Sequence, residues 1–272
     1  TQTYSGAVTL SGGDRTLTGA SINTQSTLAG GSSALTITGA ADIDGAFTGI
    51  TNLSVSGTSN IGANVTTTGT QTYSGAVTLS GGDRTLTGTT VNTQSTLAGG
   101  SNALTITGAA DIDDAFTGLT ALSVSGTSNI GANVTTSGAQ TYTGAVTLSG
   151  GDRVLTGSTV NTQSTLAGGN NALTITGAAD IDGAFMGLTA LSVSGTSNIG
   201  ANVTTSGTQT YAGAVTLSGG NRTLAASTVN TQSTLAGGGN ALTITGAADI
   251  DGAFTGITNL SISGAANIGA NV

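Results

Sequence analysis

ALTITGAADIDGAF (Ala34–Phe47) is followed after a short gap by NLSVSGTSNIGANV (Asn52–Val65), and the two stretches match at a shift of 18 residues. Leu35 falls on Leu53, Ile37 on Val55, Gly39 on Gly57, Ile43 on Ile61 and Phe47 on Val65. A second shift of 18 brings Tyr73, Gly75 and Leu79 onto Val55, Gly57 and Ile61. One small unit is written several times, and such a unit buries its apolar face only by stacking on its neighbours.

Inside the unit the alternation is short and strict. In LTIT, Leu35 and Ile37 point one way and Thr36 and Thr38 the other, because strand side chains have period two. Gly39 then marks a corner, as a residue that accepts positive φ does. The pattern resumes with Ala41 and Ile43 inward and Asp42 and Asp44 outward. Strands of about three to five residues suit a solenoid, in which each pairs with the rungs above and below, better than a sandwich. Helix is disfavoured by frequent Gly, abundant Thr, Val and Ile, and the lack of a sustained 3.6-residue stripe.

A longer period overlies the short one. TQTY begins at Thr1, Thr70 and Thr208 and AQTY at Ala139, each step being 69 residues. The repeats are 1–69, 70–138, 139–207 and 208–272, and nothing between them reads as a linker, so the expectation is a single continuous solenoid. Within a repeat an apolar residue, one residue and Gly mark the rungs: Tyr4–Gly6, Leu17–Gly19, Ile37–Gly39 and Val55–Gly57. These markers predict about four rungs per repeat, averaging about 17 residues, with a 13-residue step as the irregular one. Three rungs of about 23 residues fit as well. The fold class expected is all-β, a parallel β-helix (β-solenoid).

Composition removes several function classes. Of 272 residues, 46 are Gly and only 6% are charged; Pro, Cys, His, Trp, Lys and Glu are absent. Apolar residues at regular intervals argue against disorder. A net charge of -8 with four Arg disfavours nucleic acid and anionic membrane surfaces as partners. No apolar run reaches the length of a membrane helix, so membrane insertion is not expected. Without His, Cys, Lys or Glu the usual general bases and activated nucleophiles are missing, and nearly every Asp belongs to a periodic row, so the chain reads as not an enzyme.

Three sets of polar residues recur. In each of the pairs Asp42/Asp44, Asp111/Asp113, Asp180/Asp182 and Asp249/Asp251 both carboxylates face outward on one edge, with about four rungs between copies. Two carboxylates are a weak Ca²⁺ candidate, since that ion takes six to eight oxygens; a solvated surface is the plainer reading, and no cofactor is otherwise expected. The Gly-Gly-Asp-Arg turn holds Asp14, Asp83 and Asp152, but Asn221 in the last copy, which reads as a turn residue indifferent to charge. On the outward side of the markers lie Thr16/Thr18, Thr36/Thr38, Ser54/Ser56 and Thr72/Ser74, with Thr3/Ser5 placed in the same row. If the rungs align, they form a ladder two hydroxyls wide, which resembles the ice-binding faces of some β-solenoid antifreeze proteins; cross-strand Thr and Ser pairing is the structural alternative. Recurring Asn23 and Asn64 read as turn residues bonding their own backbone.

The run TGTQTYSGAVTLSGGDRTLTG (Thr68–Gly88), with ALTITGAADI and LTALSVSGTSNIGANVTTSG (Leu119–Gly138), resembles the β-strand repeats of large bacterial exoproteins of the filamentous-haemagglutinin-like and autotransporter-passenger-like families. TYTGAVTLSG (Thr141–Gly150) is especially similar. The resemblance implies a right-handed β-helix, an extracellular or bacterial cell-surface location, and a stalk or adhesin role. The functional expectation is a non-enzymatic structural rod, a section of a repetitive surface fibre that associates with itself head to tail or laterally. The alternative is a binding module using the Thr/Ser face for ice or for host or matrix glycans.

Overall fold

The alternation read above builds strands throughout. In the computed structural model, which describes residues 1–272, the secondary structure is all β, with no helix. The chain forms two compact units, Thr1–Ser137 and Gly138–Val272. Each is a β-solenoid whose strands pair in parallel with the preceding and following coils.

The register defines the coil. In the first unit Leu17, Ile37, Val55, Tyr73, Thr93, Ile112 and Ile130 stack as one column. Val8, Leu28, Phe47, Val65, Leu86, Ile106 and Val124 form a second. Tyr4, Thr24, Ile43, Ile61 and Leu79 belong to a third. The second unit repeats this: Leu155, Ile175, Val193, Tyr211, Thr231, Ile250 and Ile268 make the counterpart of the first column.

Coils are about 19 residues long, so a 69-residue repeat spans about four of them, more closely 3.6. The 23-residue coil is thereby excluded. The 13-residue step from Gly6 to Gly19 is not a rung either. Tyr4 stacks on Thr24 and Leu17 on Ile37, so these two markers lie on different columns of the solenoid. Because the repeat is not a whole number of coils, successive repeats shift to a new face. Ile37 sits in the column that begins at Leu17, whereas its copy Ile106 sits in the column that begins at Val8.

Strands are also longer than three to five residues: Leu28–Ile43 runs for 16 and Phe47–Val55 for 9. Pairing continues through the corners with small register shifts, as between Ala29 and Ser33 or Thr18 and Ser21. Glycine permits this close approach. The Gly57 N–H donates to the Gly39 carbonyl at 3.0 Å, and a Cβ on Gly57 would lie 2.5 Å from that carbonyl carbon.

The inward columns are the core. Phe47, Tyr73, Val55 and Leu86 are fully buried, each such side chain contributing about 1.5–3 kcal/mol relative to exposure. Two polar features enter this interior. Thr24 and Thr93 replace an apolar residue, and each hydroxyl donates to the backbone carbonyl of an Asp on the next coil (Asp42, 3.2 Å; Asp111, 3.4 Å). Ser59, Ser128 and Ser197 stack beneath Ala41, Ala110 and Ala179, and their buried hydroxyls have no partner. The last repeat carries Ala266 at this place. Ser59→Ala is therefore expected to stabilise the protein by about 1 kcal/mol, removing the desolvation cost of an unbonded hydroxyl. A thermal melt of the single and triple Ser→Ala variants checks this, the triple variant melting highest.

Candidate functional site

Strand alternation turns Asn23, Asp42 and Asn60 outward at matching positions of three successive coils. Asn23 Nδ2 donates to Asp42 Oδ2 at 2.9 Å, and Asn60 Nδ2 donates to Oδ1 at 2.8 Å. Both carboxylate oxygens thus accept side-chain amides, one from each flanking coil. The same triad recurs as Asn92–Asp111–Asn129, Asn161–Asp180–Asn198 and Asn230–Asp249–Asn267. The carbonyl oxygens of Asn23, Asn92, Asn161 and Asn230 are buried and unbonded. Asn23 therefore takes its partner from the adjacent coil, not from its own turn.

Asp44, Asp113, Asp182 and Asp251 are the exposed members of the acidic pairs. Partial burial and the neighbouring charges of Asp111 and Asp180 raise the Asp113 and Asp182 carboxyls above the ordinary carboxylate range. A raised folded-state value means that this contribution favours the fold at low pH and is lost as pH rises through their titration. No group of three or more acidic or other metal-ligating side chains converges. Asp42 and Asp111 also stand on different columns, Asp42 with Asn60 and Thr78, Asp111 with Thr72 and Asn129. The acidic pairs therefore do not form one edge, because each repeat is displaced to a new face.

The hydroxyl ladder is partly formed. Thr16, Thr36, Ser54 and Thr72 stack in one column, with Thr18 and Thr38 beside the first two. After Thr72 the column continues as Asn92, Asp111 and Asn129, so the hydroxyl face is four coils long. Ser56 and Ser74 serve the corner instead: Ser56 Oγ accepts the Gly39 N–H at 3.0 Å, and Ser74 Oγ donates to Gln94 Oε1 at 2.8 Å. Thr3 stacks on Asn23 and does not join this row.

The Asp-Arg turns explain their own variation. Asp14, Asp83 and Asp152 each accept the backbone N–H of Ala34, Ala103 and Ala172 on the next coil through Oδ1 at 2.8 Å. Asn221 Oδ1 accepts from Ala241 at 2.9 Å in the same manner. The position needs an acceptor oxygen and not a charge. Arg84 and Arg222 donate through Nε to the Ser80 and Ser218 carbonyls of their own turns. Asn64 and Asn202 likewise cap the next coil, accepting from the N–H of Thr85 and Thr223 at 2.9 Å.

Sequence reading missed a buried pair. Gln71 is fully buried, donates through Nε2 to the carbonyls of Val65 (3.1 Å) and Thr87 (2.7 Å), and accepts the Tyr73 hydroxyl at 2.9 Å. Burial pushes the Tyr73 phenol far above its ordinary range. The available signal was that Gln71 and Tyr73 are two apart and so share the inward face.

A shallow groove recurs at one place in the repeat. In the first unit Ser101, Gly118, Leu119, Thr120, Thr135 and Ser137 line it; in the second it is lined by Asn170, Gly187, Leu188, Thr204 and Ser206. Ser101 and Asn170 hold positive φ, 63° and 61°, which only residues tolerant of left-handed backbone adopt readily.

These features define a parallel β-solenoid whose polar side chains chiefly bond neighbouring coils. No protein-family model, curated protein or solved structure matches the chain.

Proposed function

We propose that this chain is a non-enzymatic structural element, a section of a bacterial cell-surface or extracellular fibre or adhesin stalk. The observation that supports this most is the destination of its polar groups. Asp42, Asp14, Asn64 and Gln71, four of its most regular polar side chains, each bond an adjacent coil. Such bonds stiffen a stack of near-identical coils, whose stability is a sum over neighbouring pairs. The displacement of successive repeats to new faces spreads each surface feature around the molecule, as suits an element without one privileged face. The test is resistance to force and protease. The intact chain should withstand a broad-specificity protease under native conditions and unfold coil by coil under tension. Rapid digestion to small fragments would overturn the reading.

The grooves at Ser101 and Asn170 favour a second reading, in which hydroxyl-bearing walls bind host or matrix glycans. Saturable glycan-array binding that is lost on Thr135→Lys would support it.

A further inference from the structure

The outward Asn–Asp–Asn triads leave one polar atom unexplained in every repeat. Thr72, Asn92, Asp111 and Asn129 stand at matching positions on four successive coils. Asn92 Nδ2 donates to Asp111 Oδ2 at 3.0 Å, and Asn129 Nδ2 donates to Oδ1 at 2.8 Å. A charged carboxylate only accepts, so each amide must give it the donor end. The Asn92 carbonyl oxygen is then left buried without a partner. The column recurs in the other repeats, where Asn23, Asn161 and Asn230 follow Thr3, Thr141 and Thr210 on the next coil. Each of those Asn carbonyl oxygens is buried and unpaired as well. A desolvation cost repeated at one place in every repeat calls for a cause.

We propose that each column is a proton-operated bond switch between coils. When Asp111 takes a proton from solvent on Oδ2, the Asn92 amide turns over about its Cβ–Cγ bond. Oδ2–H then donates to Asn92 Oδ1, Asn92 Nδ2 donates to the Thr72 hydroxyl oxygen on the coil below, and Asn129 Nδ2 keeps its bond to Oδ1. One O–H bond forms on Oδ2 and no other covalent bond changes. The charged column strands one oxygen; the neutral column pairs that oxygen and adds a bond to Thr72. Coil-to-coil bonding is thereby kept on both sides of the carboxyl titration. Asn92 and Asp111 are half-buried, so solvent reaches the carboxyl.

The surroundings suit this exchange. The coil below presents Asn92 and Gln94 to Asp111, and the coil above presents Asn129 and Gly131, none of them charged. The charged groups that face Asp111 are Asp113 and Asp114 of its own coil; Asp44, Asp182 and Asp251 hold the place of Asp113 in the other columns. Partial burial, and after it the charge of Asp111, raises the Asp113 carboxyl above the ordinary range, so a neutral Asp111 relieves its neighbour. The Gly-Gly-Asp-Arg turns tolerate neutrality in the same way. Asp14 Oδ1 accepts the Ala34 N–H, and the uncharged Asn221 accepts the Ala241 N–H through the same atom. This inference goes beyond the structural reading, and its test reads pH dependence, which protease resistance does not.

Thermal melts of the parent, Thr72→Val and Asp111→Asn at pH 7 and pH 2 test it, the lower value lying below the ordinary carboxylate range. The parent should melt no lower at pH 2 than at pH 7. Thr72→Val keeps the shape of the side chain and removes the acceptor that only the neutral column uses. Relative to the parent it should therefore lose about 2–4 °C more at pH 2 than at pH 7, where the Asn92 oxygen takes nothing from that hydroxyl. Asp111→Asn makes the column permanently neutral and should melt no lower than the parent at pH 7. A parent without a cooperative melt at pH 2 overturns the inference. So does a Thr72→Val shift that is the same at both pH values, or an Asp111→Asn variant that melts below the parent at pH 7.

Discussion

Replacing Gly108 with alanine should destabilise the protein by about 3 kcal/mol or more, a larger effect than most single substitutions. Gly108 has a φ of 125°, which side-chain-bearing residues rarely adopt, and a Cβ there would overlap the Gly88 carbonyl oxygen of the preceding coil. The obstacle is backbone, so no rotamer change relieves it. Relief requires these two coils to part, which disrupts the Thr87–Thr107 and Thr90–Ala109 pairing on either side of the corner. Gly6→Ala is the control. Gly6 has no atom within 4 Å of its added Cβ and no positive φ, so that change should stay within about 0.5 kcal/mol. Denaturant melts of both variants measure the difference. Amide hydrogen exchange should place the loss around residues 88–126 in Gly108→Ala. Equal stabilities would show that the corner columns do not need glycine.

Gln71→Ala should be comparably damaging, at about 3–5 kcal/mol. It removes a fully buried side chain and leaves the Val65 and Thr87 carbonyls without its amide and the Tyr73 hydroxyl without its acceptor. Tyr73→Phe should cost less, about 1–3 kcal/mol, because only Gln71 Oε1 loses its partner. Gln2→Ala removes the copy of Gln71 in the first coil, where the side chain is half-buried and bonds Thr18 O and Tyr4 Oη, and should be the mildest of the three. The ordering Gln71→Ala, Tyr73→Phe, Gln2→Ala in chemical denaturation is the check. A neutral Gln71→Ala would mean that the interior readily rehydrates at that coil.

Gly6 and Gly57 illustrate how far sequence reading reaches. Both follow the same marker pattern, and both read as corners. Gly57 is pinned between Gly39 and Gly75, while Gly6 lies on the first coil with nothing beneath it. The pattern identifies a residue type suited to a corner, and only the neighbouring coil decides whether that residue is sterically required. Asp14 and Asn221 make the complementary case. Their interchange correctly indicated that charge is not needed, but the N–H they accept belongs to a residue 20 positions away on the next coil. Local turn chemistry could not point to it.

The candidate sites show the same division. Outward Asp42 and Thr36 were legible from period two. The row Thr16, Thr36, Ser54 and Thr72 follows from the repeat markers and is the observed column, whereas the Asn neighbours of Asp42 are not legible from alternation alone. Thr3 and Thr16 follow the same marker pattern yet stand on different columns, because the 13-residue step between their markers is not a coil, and Asp42 and Asp111 part because 69 residues are not a whole number of coils.

By itself, then, the sequence determined that this is an all-β parallel solenoid with Leu, Ile, Val, Phe and Tyr inward and Thr, Ser, Asp and Asn outward, since alternation and glycine corners are local properties repeated many times. The 18-residue register from Leu35 to Leu53 and from Val55 to Tyr73 was legible too, whereas tertiary structure alone decided the 19- to 21-residue steps, the 3.6 coils per repeat, the Asn–Asp–Asn triads and the buried Gln–Tyr pair. Those are contacts between residues about 20 apart, and they depend on how the corners accumulate around each coil, a sum that no single stretch of sequence contains.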